Sequence, residues 1–126
     1  MKWYRSTSFN RMEIIRIVRL SWKAEKINEF ISIYESSKSS IESFDGNKYL
    51  TLKQDANLSN VLYTYSIWES NEALNNYRNS QFFKETWAKT KLLFDDKPLA
   101  YSLMNVENNW TDFNFISQIC VTLRSI

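Results

Sequence analysis

The feature of this sequence that most constrains its fold is the order in which its apolar residues change period. Residues 13–22, EIIRIVRLSW, are rich in β-branched side chains and alternate between two faces, as in a strand. From Glu25 onward the apolar residues instead recur three or four positions apart, as Ile27 and Phe30 do. We therefore predict a strand and then an amphipathic helix, which ends at FDGN because Gly46 can adopt the left-handed conformation that commonly closes helices.

The next segments predict a hairpin and a helix. Residues 48–55, KYLTLKQD, and residues 61–69, VLYTYSIWE, are rich in strand-forming residues. The segment ANLSN lies between them, and its Asn and Ser side chains can satisfy the backbone groups of a turn. Ser70 is a suitable N-cap for the helix NEALNNYR, which the pair NS at 79–80 interrupts.

A further helix and a last strand complete the predicted domain. The helix ends before Pro98, and one of its faces carries four apolar or small side chains: Phe83, Trp87, Thr90 and Phe94. Residues 99–106, LAYSLMNV, are compatible with a fourth strand. The resulting order is β-α-β-β-α-β, which is the split pattern of ferredoxin-like domains. The predicted fold class is therefore α+β, with an antiparallel sheet.

Two absences from the sequence exclude common kinds of catalytic site. The 126 residues include no histidine, which excludes Ser-His-Asp and Cys-His nucleophiles, HExxH zinc sites and histidine-ligated haem. Gly46 is the only glycine, so neither a P-loop nor a Rossmann phosphate loop can be built. With one cysteine, a metal site would need oxygen ligands alone, and no calcium-loop motif occurs. We expect a site of aromatic and polar side chains that uses no cofactor and no metal.

Charge and hydropathy limit the expected partners and location. The net charge of +2 comes from 16 basic and 14 acidic residues without a basic cluster, so we expect no nucleic-acid partner. No window approaches the roughly 20 apolar residues that cross a bilayer, so we expect no membrane association. Cys120 cannot form an internal disulfide, and the N-terminus lacks the apolar run of a signal peptide. These features favour a cytoplasmic location.

The length and the ends of the chain suggest one domain with two flanking segments. We assign residues 12–105 to the domain, because 126 residues suffice for one core of ordinary size. Residues 1–11 lack clear periodicity and are predicted to be a loose arm, or an overlong start before Met12. Residues 106–126 are predicted to be a C-terminal extension, whose apolar side chains should pack against something. Its pattern is compatible with a strand, a helix or an interface arm.

Two segments resemble the antibiotic biosynthesis monooxygenase family. They are IIRIVRLSWKAEKINEF, residues 14–30, and YSIWESNEALNNYRNSQFFKETW, residues 65–87, and the likeness extends over roughly residues 12–105. Its most specific element is WES at a strand end, followed by EAL and by NSxFF at the family's spacing. The resemblance implies that two copies pack sheet against sheet as a dimeric α+β barrel, each holding its ligand between its own sheet and helices. A homodimer is also expected because helices on one face of a sheet leave the other face to be covered.

The resemblance implies two possible activities, and the sequence argues against one of them. Some members resemble oxygenases of quinols or anthrones that need no cofactor, because the deprotonated substrate itself reduces oxygen. Others open haem, and their pattern has an Asn on the first strand and a Trp followed ten residues later by a His. Those positions hold Val18, Tyr77 and Trp87 in this sequence. Without an axial histidine we reject haem degradation.

The candidate site residues follow from strand parity together with the resemblance. Trp68 shares a strand face with Thr64 and Ser66, and the family directs this face toward the pocket. The predicted substrate-binding residues are Val18, Thr64, Ser66, Trp68, Phe83 and Trp87, and the predicted catalytic residues are Arg16 and Tyr77. Arg16 would stabilise a substrate anion, and no residue is marked as a general base. Alternatively, the aromatic rings could serve only as core, and Arg16 could pair with Glu13 or Glu69.

Two functions are compatible with this pattern. The first is a cofactor-independent monooxygenase that oxidises a small, planar, electron-rich aromatic of the quinol or anthrone type with O2. The second is a non-catalytic dimeric barrel that binds an aromatic metabolite. Stoichiometric oxygen consumption separates them.

Overall fold

A computed structural model of the chain describes residues 12–106. The strands are β1 (Ile14–Ser21), β2 (Asn47–Gln54), β3 (Val61–Trp68) and β4 (Leu99–Met104), and the α-helices are α1 (Ile27–Glu42), α2 (Asn71–Arg78) and α3 (Gln81–Thr90). Short 3-10 turns precede α1 and follow α3. The predicted element order and fold class are confirmed. The predicted N-terminal arm, and the predicted C-terminal extension beyond Val106, lie outside the described residues.

The four strands form one antiparallel sheet in the order β2-β3-β1-β4. The first strand of the chain is thus central, and it pairs with both β3 and β4. In this register Arg16 lies opposite Ser66 on one side and Ser102 on the other. Because successive side chains of a strand point to opposite faces, every second residue of β1 faces the helices.

The core lies between the helices and one face of the sheet. A first buried cluster contains Leu20, Trp22, Phe30, Tyr34, Leu50, Leu62 and Leu93. A second cluster, at the other end of β1 and β3, contains Ile14, Trp68 and Leu74. No helix among residues 12–106 is long and apolar enough to span a bilayer.

The other sheet face, which we call the outer face, carries large apolar side chains that are exposed in the described part of the chain. The exposed fraction is 46–53% for each of four side chains on this face: Tyr49, Leu99, Tyr101 and Leu103. Ile17 lies in the middle of this face, opposite Tyr65 of β3 and Tyr101 of β4.

Serine side chains begin the two helices that follow β3. The Ser70 hydroxyl accepts a hydrogen bond from the Ala73 amide at 3.1 Å, as its predicted N-cap role requires. The Ser80 hydroxyl does the same for the Phe83 amide, also at 3.1 Å, so the predicted break at 79–80 is both the end of α2 and the start of α3.

Two predicted helix ends differ from the structure. Helix α1 ends at Glu42, and Gly46 lies farther on, in a turn in which the Asn47 amide donates to the Phe44 carbonyl at 3.0 Å. Gly46 does have a positive φ of 87°, but it serves the turn into β2 instead of the helix end. Helix α3 ends at Thr90, and Phe94 lies beyond the helix in an isolated bridge to Trp22. The sequence predicts a longer helix because Phe94 keeps the helical spacing, although it packs on the core from beyond the helix end.

Candidate functional site

A cavity of about 490 Å³ lies between the helix-facing side of the sheet and the helices. Small-molecule sites commonly occupy about 300–1,000 Å³, so this volume suits a ligand of a few fused rings. All eight predicted site residues line it: Arg16, Val18, Thr64, Ser66, Trp68, Tyr77, Phe83 and Trp87. The structure thus brings the predicted residues together in one cavity, and their roles in binding or catalysis stay predictions.

Trp68 forms the fixed end wall of the cavity. It is the last residue of β3, and only 1% of its surface is accessible. Its indole Nε1–H donates to the Ser66 hydroxyl at 3.0 Å, and its ring stacks on Tyr77 with centroids 5.0 Å apart. Ser66 precedes Trp68 by two residues and therefore lies on the same strand face. The Ser66 hydroxyl therefore holds the indole in one orientation.

Aromatic contacts continue from Tyr77 along the helical wall. Tyr77 meets Phe83 edge-on at 5.1 Å, and Phe83 is nearly parallel to Trp87, at 5.9 Å and 8°. Trp87 in turn contacts Phe94 at 5.4 Å. Each such pair contributes about 0.5–1.5 kcal/mol beyond the area that it buries. Trp68 belongs to the second core cluster and Tyr77 packs against it, whereas Trp87 is exposed and belongs to neither cluster, although all of these rings line the cavity.

Arg16 reaches the cavity from the centre of the sheet. Its Nη1 donates to the Ser102 hydroxyl of β4 at 2.8 Å. The alternative pairing with Glu13 or Glu69 is not found among the described residues, and Glu13 pairs with Lys48 instead. Burial, and then the positive charge of nearby Arg78, lower the pKa of the Arg16 guanidinium from its ordinary value. It remains a cation at physiological pH, because arginine titrates far above that range.

The cavity has two further cationic residues that sequence reasoning missed. Arg78 ends α2, and Lys97 lies in the connection before β4. Arg78 follows Leu74 by four residues and so lies on the same helix face, a signal that was present in the sequence. Lys97 lies on no periodic element, so no pattern could have placed it.

The lining offers no acceptor for a substrate proton. None of the cavity-lining side chains between residues 12 and 106 is an aspartate or a glutamate. Burial raises the pKa of Tyr77 to about 12, so its phenol is neutral near pH 7 and can donate a hydrogen bond but not take a proton. A substrate anion in this cavity would therefore be stabilised by cations and formed by loss of its proton to water.

The raised pKa of Tyr77 predicts a loss of stability at high pH. Between about pH 10, where tyrosine ionises in the unfolded chain, and pH 12, the folded state keeps a proton that the unfolded state releases. Stability should fall over this window by up to about 2 kcal/mol, and Tyr77→Phe should lack this part of the fall. Urea unfolding of both proteins at pH 8 and pH 11.5 measures it. Equal losses in the two proteins would contradict the assignment.

Two buried donors beside the cavity have no hydrogen-bond partner in the described part of the chain. They are the indole Nε1 of Trp22 and the hydroxyl of Tyr34. Both side chains belong to the first core cluster, and the Trp22 ring stacks on Phe30 at 3.9 Å. A buried donor without an acceptor is costly, so packing of the rings must outweigh this cost.

The fold and the cavity together define the class of this chain, a ferredoxin-like α+β domain with an aromatic pocket between sheet and helices. Residues 13–89 match the family described as antibiotic biosynthesis monooxygenase, and the chain belongs to that family. No curated protein matches the chain.

Solved structures share the fold at low sequence identity. A conserved protein from Methanosarcina mazei is 17% identical, with a TM-score of 0.73 over 82% of this chain and 98% of that chain. Rv0793 from Mycobacterium tuberculosis is 16% identical, with a TM-score of 0.70 over 75% and 96%. A mutant of SnoaB, a cofactor-independent oxygenase from Streptomyces nogalater, is 14% identical, with a TM-score of 0.68 over 76% and 95%. At these identities the similarity shows the fold.

Proposed function

We propose that this protein is a cofactor-independent monooxygenase that oxidises a small, planar, electron-rich aromatic of the quinol or anthrone type with O2. The observation that carries the proposal is a cavity that combines aromatic walls with cations. Membership of the monooxygenase family and the fold shared with a cofactor-independent oxygenase support it.

The proposed reaction uses the electrons of the substrate itself. For an anthrone, a ring CH2 loses a proton, and the carbanion or enolate reduces O2. One oxygen atom ends in the new carbonyl and the other leaves as water, so each molecule of product consumes one O2. In this proposal the protein lowers the pKa of the substrate through the Arg16 cation, whose effect is strong in a water-poor cavity. Tyr77 would stack on the ring, and the buried Trp68, which stacks on Tyr77, would hold Tyr77 in position.

Oxygen uptake by metal-stripped protein over a panel of hydroquinones and anthrones tests this proposal. We expect uptake above the autoxidation rate, with kcat about 10²-fold lower in Arg16→Gln, because one stabiliser of the developing anion is lost. Tyr77→Phe should lower kcat about tenfold, because the hydroxyl donor is lost. Lys84→Gln is the matched control, because Lys84 is exposed on α3 and does not line the cavity.

A second function is favoured by the absence of a proton acceptor from the described lining. The protein would then bind an aromatic metabolite without turning it over. Quenching of tryptophan fluorescence by the same compounds, with oxygen uptake equal to autoxidation throughout, would support binding and contradict the oxygenase.

We also propose that the chain is a homodimer in which two outer faces pack together. The apolar side chains exposed on that face support this arrangement, because exposed apolar patches of such extent usually mark interfaces. Because the cavity opens on the opposite face of the sheet, each copy would keep its own site.

A further inference from the structure

The charges around the cavity are all of one sign. Arg16 from β1, Arg78 from the end of α2 and Lys97 from the connection before β4 line it together. As noted above, no described lining residue is acidic. Arg78 and Lys97 are exposed, whereas Arg16 is half-buried, so the first two belong to the entrance.

None of the three cations has an anionic partner within residues 12–106. The ion pairs there join Lys26 to Glu29 and Lys48 to Glu13, all away from the cavity. Arg16 donates only to the neutral Ser102 hydroxyl. The side chains of Arg78 and Lys97 form no hydrogen bond within the described chain. Their donors are therefore available to a ligand.

The cavity brings these like charges together at an energetic cost. Burial lowers the pKa of the Arg16 guanidinium, and Arg78 is close enough to lower it further. Two cations that share a partly desolvated space repel each other, and an anion between them removes that repulsion. One transient phenolate carries a single negative charge, whereas three cations line the cavity.

We propose that the natural ligand carries, besides its planar ring, a permanently ionised oxyanion substituent such as a carboxylate, which Arg78 and Lys97 bind at the entrance. This inference rests on the aromatic pocket of the proposed function and adds the substrate class. The ring lies against Tyr77, and the charged substituent points to the entrance. Because Arg78 directly follows Tyr77 in α2, the stacking ring and the cation lie on adjacent residues.

Two probes that share one ring system, one of them anionic and the other neutral, test the inference. Anthraquinone-2-carboxylate and its methyl ester have the same ring system and are already oxidised, so quenching of tryptophan fluorescence measures binding without turnover. At low salt the acid should bind about tenfold or more tightly than the ester, because charge-assisted hydrogen bonds are stronger than neutral ones. The preference should shrink as salt is raised, since the entrance cations are exposed.

Variants locate the charge that is recognised. Arg78→Gln and Lys97→Gln should each reduce the preference for the acid several-fold, and the double variant should abolish it while the ester binds as before. Lys84→Gln, with the same change of charge on α3 outside the cavity, should leave the preference intact.

The outcomes separate this inference from the proposed function. Equal binding of acid and ester, or a preference that survives in the double variant, overturns the anion site and leaves the aromatic pocket standing. If neither probe binds and no quinol or anthrone stimulates oxygen uptake, the proposed function itself fails, and the inference fails with it.

Discussion

Replacing Gly46 with alanine is expected to lower the free energy of unfolding by about 2–4 kcal/mol. The φ of Gly46 is +87°, a conformation that costs L-residues about 1–2 kcal/mol. An added Cβ would also collide with the Ala73 Cβ at the start of α2. The turn cannot easily move away, because the Gly46 carbonyl accepts a hydrogen bond from the Glu69 amide at 2.7 Å. Chemical denaturation of both proteins measures the difference.

A double-mutant cycle separates the two causes. Ala73→Gly alone should cost about 1 kcal/mol, as glycine does inside a helix. Combined with Gly46→Ala it removes the steric conflict, so the double variant should be about 1–3 kcal/mol more stable than the sum of the single effects predicts. If the two effects simply add, the close approach of Gly46 to α2 is not what constrains this position.

Ile17→Asp is expected to weaken the proposed dimer by about a thousandfold or more, which corresponds to about 4 kcal/mol. Ile17 lies in the middle of the outer face, between Tyr65 and Tyr101 on the neighbouring strands. In a dimer formed through this face, two copies of the new carboxylate would lose water among apolar and tyrosine side chains. Sedimentation over a concentration series should give about twice the 15.1 kDa chain mass for the wild type and a monomer for the variant.

The matched control places the same charge on the helical side. Leu92 is 70% exposed and does not line the cavity, so Leu92→Asp should leave the association unchanged. A wild-type protein that remains monomeric at tens of micromolar would contradict the proposed dimer, whatever the variants do.

The helices and strands, and the strand residues that share a face, could be predicted from the sequence because both depend on residues that are close together in the chain. Alternation placed Thr64, Ser66 and Trp68 on one face of β3, and the structure has all three at the cavity. Ser70 could be identified as a cap because its hydroxyl serves the backbone only three residues away. The resemblance then indicated which face of the sheet holds the pocket.

The remaining features depend on contacts between distant parts of the chain. The partner of Arg16 could not be predicted, because it requires knowing that Ser102 of β4 lies beside β1. Lys97 reaches the cavity only because the connection before β4 passes its entrance. The position of Gly46 against Ala73 likewise follows from how the turn packs on α2, and no local pattern encodes it.

The central position of β1 affects the order in which the sheet can form while the chain is being synthesised. Although β1 is the first of the strands described, its Ile14 pairs with Met104 of β4, nearly the whole domain away. Pairings over such separations close slowly, because the entropy of a long loop is lost before the contacts form. During synthesis β1 can pair with β3 first, but its other edge stays open until β4 has been made, so the cavity is completed last. A ligand of this cavity would then recognise only finished chains, so it should slow their unfolding without accelerating their folding.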